Sequence, residues 1–165
     1  MADLQQQVVK AAGEGFESGE SLVAATKCER EGGVKRRALG AGLGGAVGMV
    51  AALKTGIDPS HSVGGEALPH SMVLGLTDRR IAVLGCSTMT GKPTSIIRSI
   101  PLAEIADVDT GSGRVLGRKL AKFSLTFVDG AVLSLEAASS ESWRAEAFCE
   151  ALAATLLARR DQVPE

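Results

Sequence analysis

Between Lys122 and Glu136, apolar and polar side chains alternate on both sides of Asp129-Gly130. Phe123, Leu125 and Phe127 fall on one face, and Lys122, Ser124 and Thr126 on the other. Past the turn, Leu133 and Leu135 continue the apolar face, and Ser134 and Glu136 the polar one. A period of two marks a strand with one buried face, and Asp-Gly is a strong hairpin signal. Parity then selects the turn. A two-residue loop would set Leu125 opposite Ser134 and mix the faces. A three-residue loop, Val128-Asp129-Gly130 with a left-handed Gly130, sets Leu125 opposite Leu133. The pattern therefore requires an antiparallel sheet with one side on a core.

A second hairpin is predicted over Met72–Gly85, hinged on Thr77-Asp78-Arg79-Arg80. Met72, Leu74 and Leu76 share one face, and Ile81, Val83 and Gly85 do the same on the second run. Both runs are too short for amphipathic helices. Arg79 and Arg80 sit at the mouth of the hinge, with their heads in water. Ser21–Lys27, Thr94–Ile100 (stopped by Pro101) and Ala106–Thr110 read as further strands, and Gly111-Ser112-Gly113 as a turn.

The chain closes with a helix over Ser139–Arg159. Ser139 or Ser140 can cap it, and Glu141 suits the positive end of its dipole. Ala145, Phe148, Leu152 and Leu156 form its apolar stripe, with Trp143 off the stripe to cover the core edge. A short helix over Leu4–Ala12, capped by Asp3, is loosely docked or serves self-association, the former reading being preferred. The predicted fold class is mainly β with a C-terminal α-helix, a small barrel or sandwich plugged by that helix. It spans residues 18–158, after an N-terminal helix or tail over 1–17 and before a tail over 159–165.

A glycine-rich insertion and loop, residues 28–70, interrupts this domain between its first two strands. Its centre, Ala38–Leu53, is uncharged and built of small residues, and it follows the basic run Lys35-Arg36-Arg37. Gly40, Gly44 and Gly48 recur every four residues, so a helix would place them on one face, where a second backbone can approach closely. At about 1.5 Å per residue the stretch reaches about 24 Å, short of a ~30 Å hydrocarbon core. Three readings stand: a flexible linker, a helix packed by its small face, or a membrane segment anchored by Lys35, Arg36 and Arg37.

Composition bounds the function. The formal net charge is −1, so no global field steers the chain to nucleic acid, and the absence of Tyr argues against a base-stacking surface. The three cysteines, Cys28, Cys86 and Cys149, are scattered, as expected of plain thiols in a reducing compartment. With Asp3 and three glutamines near Met1, the start does not resemble a signal peptide, and a cytoplasmic protein is expected. Gly91-Lys92 resembles part of a phosphate loop, but Pro93 stands where the metal-binding hydroxyl belongs. His61 and His70 lack the company of other ligands. No cofactor, metal or catalytic set is expected, and a protein partner or self-association is, with a membrane as the alternative.

The run Val73–Val83 resembles the signature of bacterial PH-like domains. So do Ile100–Val108 and the pair Leu125–Leu135 followed by the helix bearing Trp143 and Phe148. The resemblance covers about Ser21 to Leu157 without the glycine segment. It implies a PH-like barrel that hosts lipid, peptide or protein binding. In pleckstrin-homology modules that bind headgroups, the cations lie around the loop joining the first two strands. Lys35, Arg36 and Arg37 lie in that connection here, which departs from the family pattern: it carries the glycine segment and lacks the strand-anchored spacing of those cations.

Overall fold

The computed structural model describes residues 3–34, 62–63, 66–115 and 117–161. Helix α1 covers Leu4–Ala12. Strand β1 covers Leu22–Arg30, and the small pair β2 (Ser62–Val63) and β3 (Glu66–Ala67) follows. The main strands continue as β4 (Ser71–Thr77), β5 (Arg80–Cys86), β6 (Pro93–Pro101), β7 (Ile105–Val115), β8 (Arg118–Phe127) and β9 (Val132–Ala137). Helix α2, Ser142–Arg160, completes the order. The fold is mainly β with a C-terminal helix.

Seven strands form one antiparallel sheet in the order β6-β5-β4-β1-β9-β8-β7. Two three-stranded meanders thus flank β1. Strand β1 pairs with β4 from Leu22 to Glu29, but with β9 only at Glu29 and Arg30. The two meanders are therefore joined through β1 at one end and through the short Leu102–Glu104 turn between β6 and β7 at the other. Phe148 and Leu152 of α2 fill the space between, fully buried among Met72, Leu74, Ile81, Phe123, Leu125 and Leu135. Ala145 and Leu156 of the predicted stripe are buried as well.

The turn of the β8–β9 hairpin is as parity requires. Leu125 pairs with Leu133, Phe127 N–H donates to Ala131 O at 2.8 Å, and Gly130 has φ +86°. Phe123, Leu125, Phe127, Leu133 and Leu135 are buried. Lys122, Ser124 and Thr126 face outward but are half-buried.

Several expectations need correction. Gly111-Ser112-Gly113 is no turn: β7 runs through it, with Gly111 opposite Lys122 and Gly113 opposite Leu120, and the chain reverses around Gly117 (φ +78°). Eight pairings with β8 beyond Asp107 outweigh the weak strand propensity of two glycines. Helix α2 begins at Ser142, after Glu141 in the N-cap position, where no side-chain capping bond forms. Nor does the Asp3 side chain cap α1. Trp143 is 59 % exposed and packs under the Arg144 guanidinium, 4.6 Å from its ring centroid, instead of covering the core edge. Helix α1 is firmly seated. Leu4 and Val8 bury against Ala25, Val73, Ala82 and Leu84 on the back of the first meander. The close approach is possible because position 75 is glycine: a Cβ there would lie 3.1 Å from Val8 Cγ1. Strands β4 and β5 are consequently buried on both faces.

Candidate functional site

The connections between strands gather at two ends, because β9 runs antiparallel to β1 and overlaps it only where both strands finish. One end carries the β4–β5 turn, the β6–β7 connection and the β8–β9 turn. The other carries the point where the chain leaves β1, the β5–β6 loop, the β7–β8 hairpin and the passage from β9 into α2. The insertion departs from this second end, the insertion end. Lys35, Arg36, Arg37, Gly40, Gly44 and Gly48 lie outside the described residues.

The sequence places two carboxylates at the root of the insertion. Glu29 and Glu136 are direct cross-strand partners on β1 and β9, and both are buried. Glu136 Oε1 accepts from Val34 N–H at 2.6 Å. Glu29 Oε2 lies 3.8 Å from His70 Nε2. Gly33 packs over this pair: a Cβ there would meet Glu29 Oε2 at 2.8 Å and His70 Cε1 at 3.0 Å. Nearby, Lys122 Nζ donates to Glu31 Oε1 at 2.7 Å, and that bond raises the ammonium pKa above its usual value. The group anchors the chain where the insertion leaves. His70, read from sequence as a solvated loop residue, belongs to it. Period two put Glu136 on the outward face correctly. That this face is covered at its insertion end carries no local signal.

The β5–β6 loop shows why Gly91-Lys92 is a turn. Ser87 N–H donates to Lys92 O at 2.9 Å and Gly91 N–H to Ser87 O at 2.8 Å, while Lys27 Nζ reaches Gly91 O at 3.3 Å. Met89 at its tip is 94 % exposed.

Two cavities border β7. One, of about 260 Å³, is lined by Glu31, Asp109, Gly111, Lys122, Ser124 and Ser134. The other, of about 440 Å³, lies at the insertion end between Val34, Val115, Arg118, Lys119, Leu120 and Ser139. Arg79, Arg80, Lys122 and Arg144 each have a carboxylate partner. Among the described residues, Arg114, Arg118 and Lys119 have none, and neither do Lys10, Lys27, Arg30 and Lys92; what sets the three apart is that they cluster at one hairpin. Arg114 and Lys119 stand directly opposite each other on β7 and β8, a like-charge pairing that disfavours the hairpin.

No protein-family model and no curated protein sequence matches the chain. Among the described residues no three metal-ligating side chains converge, and no helix is long and apolar enough to cross a membrane. The thiols of Cys28 and Cys149 are buried, and burial raises both pKa values, that of Cys149 to about 12, which disfavours the reactive thiolate.

Proposed function

We propose that this chain is a PH-like, non-catalytic binding module that acts through protein contact or self-association at its insertion end. The observation that carries the reading is convergence. The insertion root, the β5–β6 loop, the β7–β8 hairpin and the start of α2 are four separate stretches brought to one end. A rigid sheet presenting clustered loops is the usual basis of recognition. The PH-like reading is supported by two meanders bridged by the first strand, with a C-terminal helix between them.

Self-association is tested by light scattering on wild type and Gly44→Leu. A groove-filling leucine should lower the mass of an oligomer that packs by its glycines. A wild-type chain that is monomeric at all concentrations and retains no protein from a lysate would count against the reading. Peripheral attachment to anionic lipid is a second reading, favoured by exposed Met89 beside Lys92 at the same end and by Lys35–Arg37 in the sequence. Co-sedimentation with liposomes rich in anionic lipid distinguishes it.

A further inference from the structure

The sheet has two edges, and they are treated differently. Strand β6 begins and ends at Pro93 and Pro101, its pairing with β5 is broken by two irregularities, and Ile96 packs against the α1 cluster. Prolines, bulges and cover are the usual devices that keep an edge from pairing. Among the described residues, strand β7 has none of them along its outer half. Helix α2 reaches only its beginning, where the Arg160 guanidinium donates to Ala106 O. From Asp109 to Ser112 four successive residues are exposed, and β8 is their sole strand partner among the described residues.

Further features lie on this strand or beside it on β8. Both cavities border it, one at Asp109–Gly111 and one at Val115. At its insertion end Arg114 on β7 stands beside Arg118 and Lys119 on β8, and among the described residues none of the three has a carboxylate partner. Its opposite half carries Asp107 and Asp109. An open edge supplies main-chain hydrogen bonds, a cavity receives a side chain, and uncompensated cations call for negative charge.

We infer that the outer half of β7, about Val108 to Val115, is a docking edge for an extended peptide segment of a partner protein. The segment adds as an antiparallel strand and brings acidic residues to Arg114, Arg118 and Lys119. Antiparallel addition sets its polarity. The acidic residues belong to its N-terminal half, because β7 runs towards the cations and the added strand runs away from them. An apolar side chain of the same half enters the 440 Å³ cavity over Val115 and Leu120. Charge complementarity favours this partner over a second copy of the chain. Two β7 strands paired about Gly111 would leave Arg114 opposite Val108, without a carboxylate.

The inference rests on the protein-contact reading but can fail alone. The probe is a fluorescein-labelled octapeptide, with valine alternating with glutamate in its first half and with threonine in its second. Its binding to the full chain is read by fluorescence anisotropy. Saturable binding is expected, weakened at least tenfold by the double substitution Arg114→Glu with Lys119→Glu. Equal thermal midpoints of that variant and wild type show that it folds. A probe N-methylated at alternate amides keeps every charge but cannot pair as a strand, and it should also bind at least tenfold more weakly. Equal binding of the methylated probe would reduce the site to bulk electrostatics and overturn the proposal. So would the absence of peptide binding, including the case where the double variant instead abolishes co-sedimentation with phosphatidylglycerol vesicles. An oligomer that persists under any of these outcomes leaves the function reading standing.

Discussion

Arg80 anchors the N-terminal segment to the β4–β5 turn. Its guanidinium donates to Glu20 Oε1 and Oε2 at 2.8 and 2.7 Å, to Ser99 Oγ at 2.8 Å and to Gly15 O at 2.6 Å. The Glu20 side chain is fully covered, and Thr77 Oγ1 donates to it as well. A bidentate pair of this kind is costly to halve, because the remaining charge loses its partner away from water. Arg80→Ala should cost about 3–5 kcal/mol in urea unfolding. The bond from Arg80 pulls the Glu20 carboxyl from 4.5 down to about 2. A depressed folded pKa adds stability that is complete above the unfolded value and is lost as pH falls through the folded one. Urea midpoints should therefore drop between about pH 4.5 and 2, and Glu20→Gln should flatten its share of that drop. Thr26 is the opposite case. Its hydroxyl is buried on β1 with no hydrogen-bond partner among the described residues. Thr26→Val removes an unsatisfied group at nearly constant shape, so stability should rise by about 1–2 kcal/mol. An unchanged or lower midpoint would show that the hydroxyl is satisfied in solution.

At the scale of elements, the β8–β9 hairpin carries the register of the second meander. Phe123, Leu125 and Phe127 alternate with outward residues, so a slip of one position would exchange the faces. Phe127→Ala should cost about 3–5 kcal/mol, measured by denaturant unfolding with an unchanged slope. Strands β4 and β5 behave differently. Their apolar sets Met72, Leu74, Leu76 and Ile81, Val83 were readable at period two. Val73, Ala82 and Leu84, on the other face, are also apolar and buried under α1. A nearly continuous apolar run is the mark of a strand covered on both sides. That signal was present and points to a seated α1. Which element supplies the cover is a matter of tertiary packing.

For the whole molecule, α2 decides whether the two meanders share a core. They meet through β1 at only two residue pairs on the β9 side, so the interior depends on Phe148 and Leu152 to fill it. Deleting the chain after Ser139 should leave a molten or aggregating product, seen as a lost thermal transition and a raised scattering mass. A monomer that melts sharply would mean the sheet closes without the helix.

The sequence by itself determined the elements whose chemistry is local. The three-residue turn at Val128–Gly130, the inward faces of β8 and β9, and the apolar stripe of α2 all follow from period and turn residues. These signals depend on neighbours a few positions away, and backbone geometry converts them directly into faces. Only the tertiary structure decided the rest. Gly111 and Gly113 became strand because β8 supplies partners. Arg80 left the water because Glu20, some sixty residues earlier by sequence, comes to meet it. Glu29, Glu136 and His70 gathered because three strand ends coincide. Such contacts join residues far apart in the chain, and their free energy exists only once the sheet has brought the ends together.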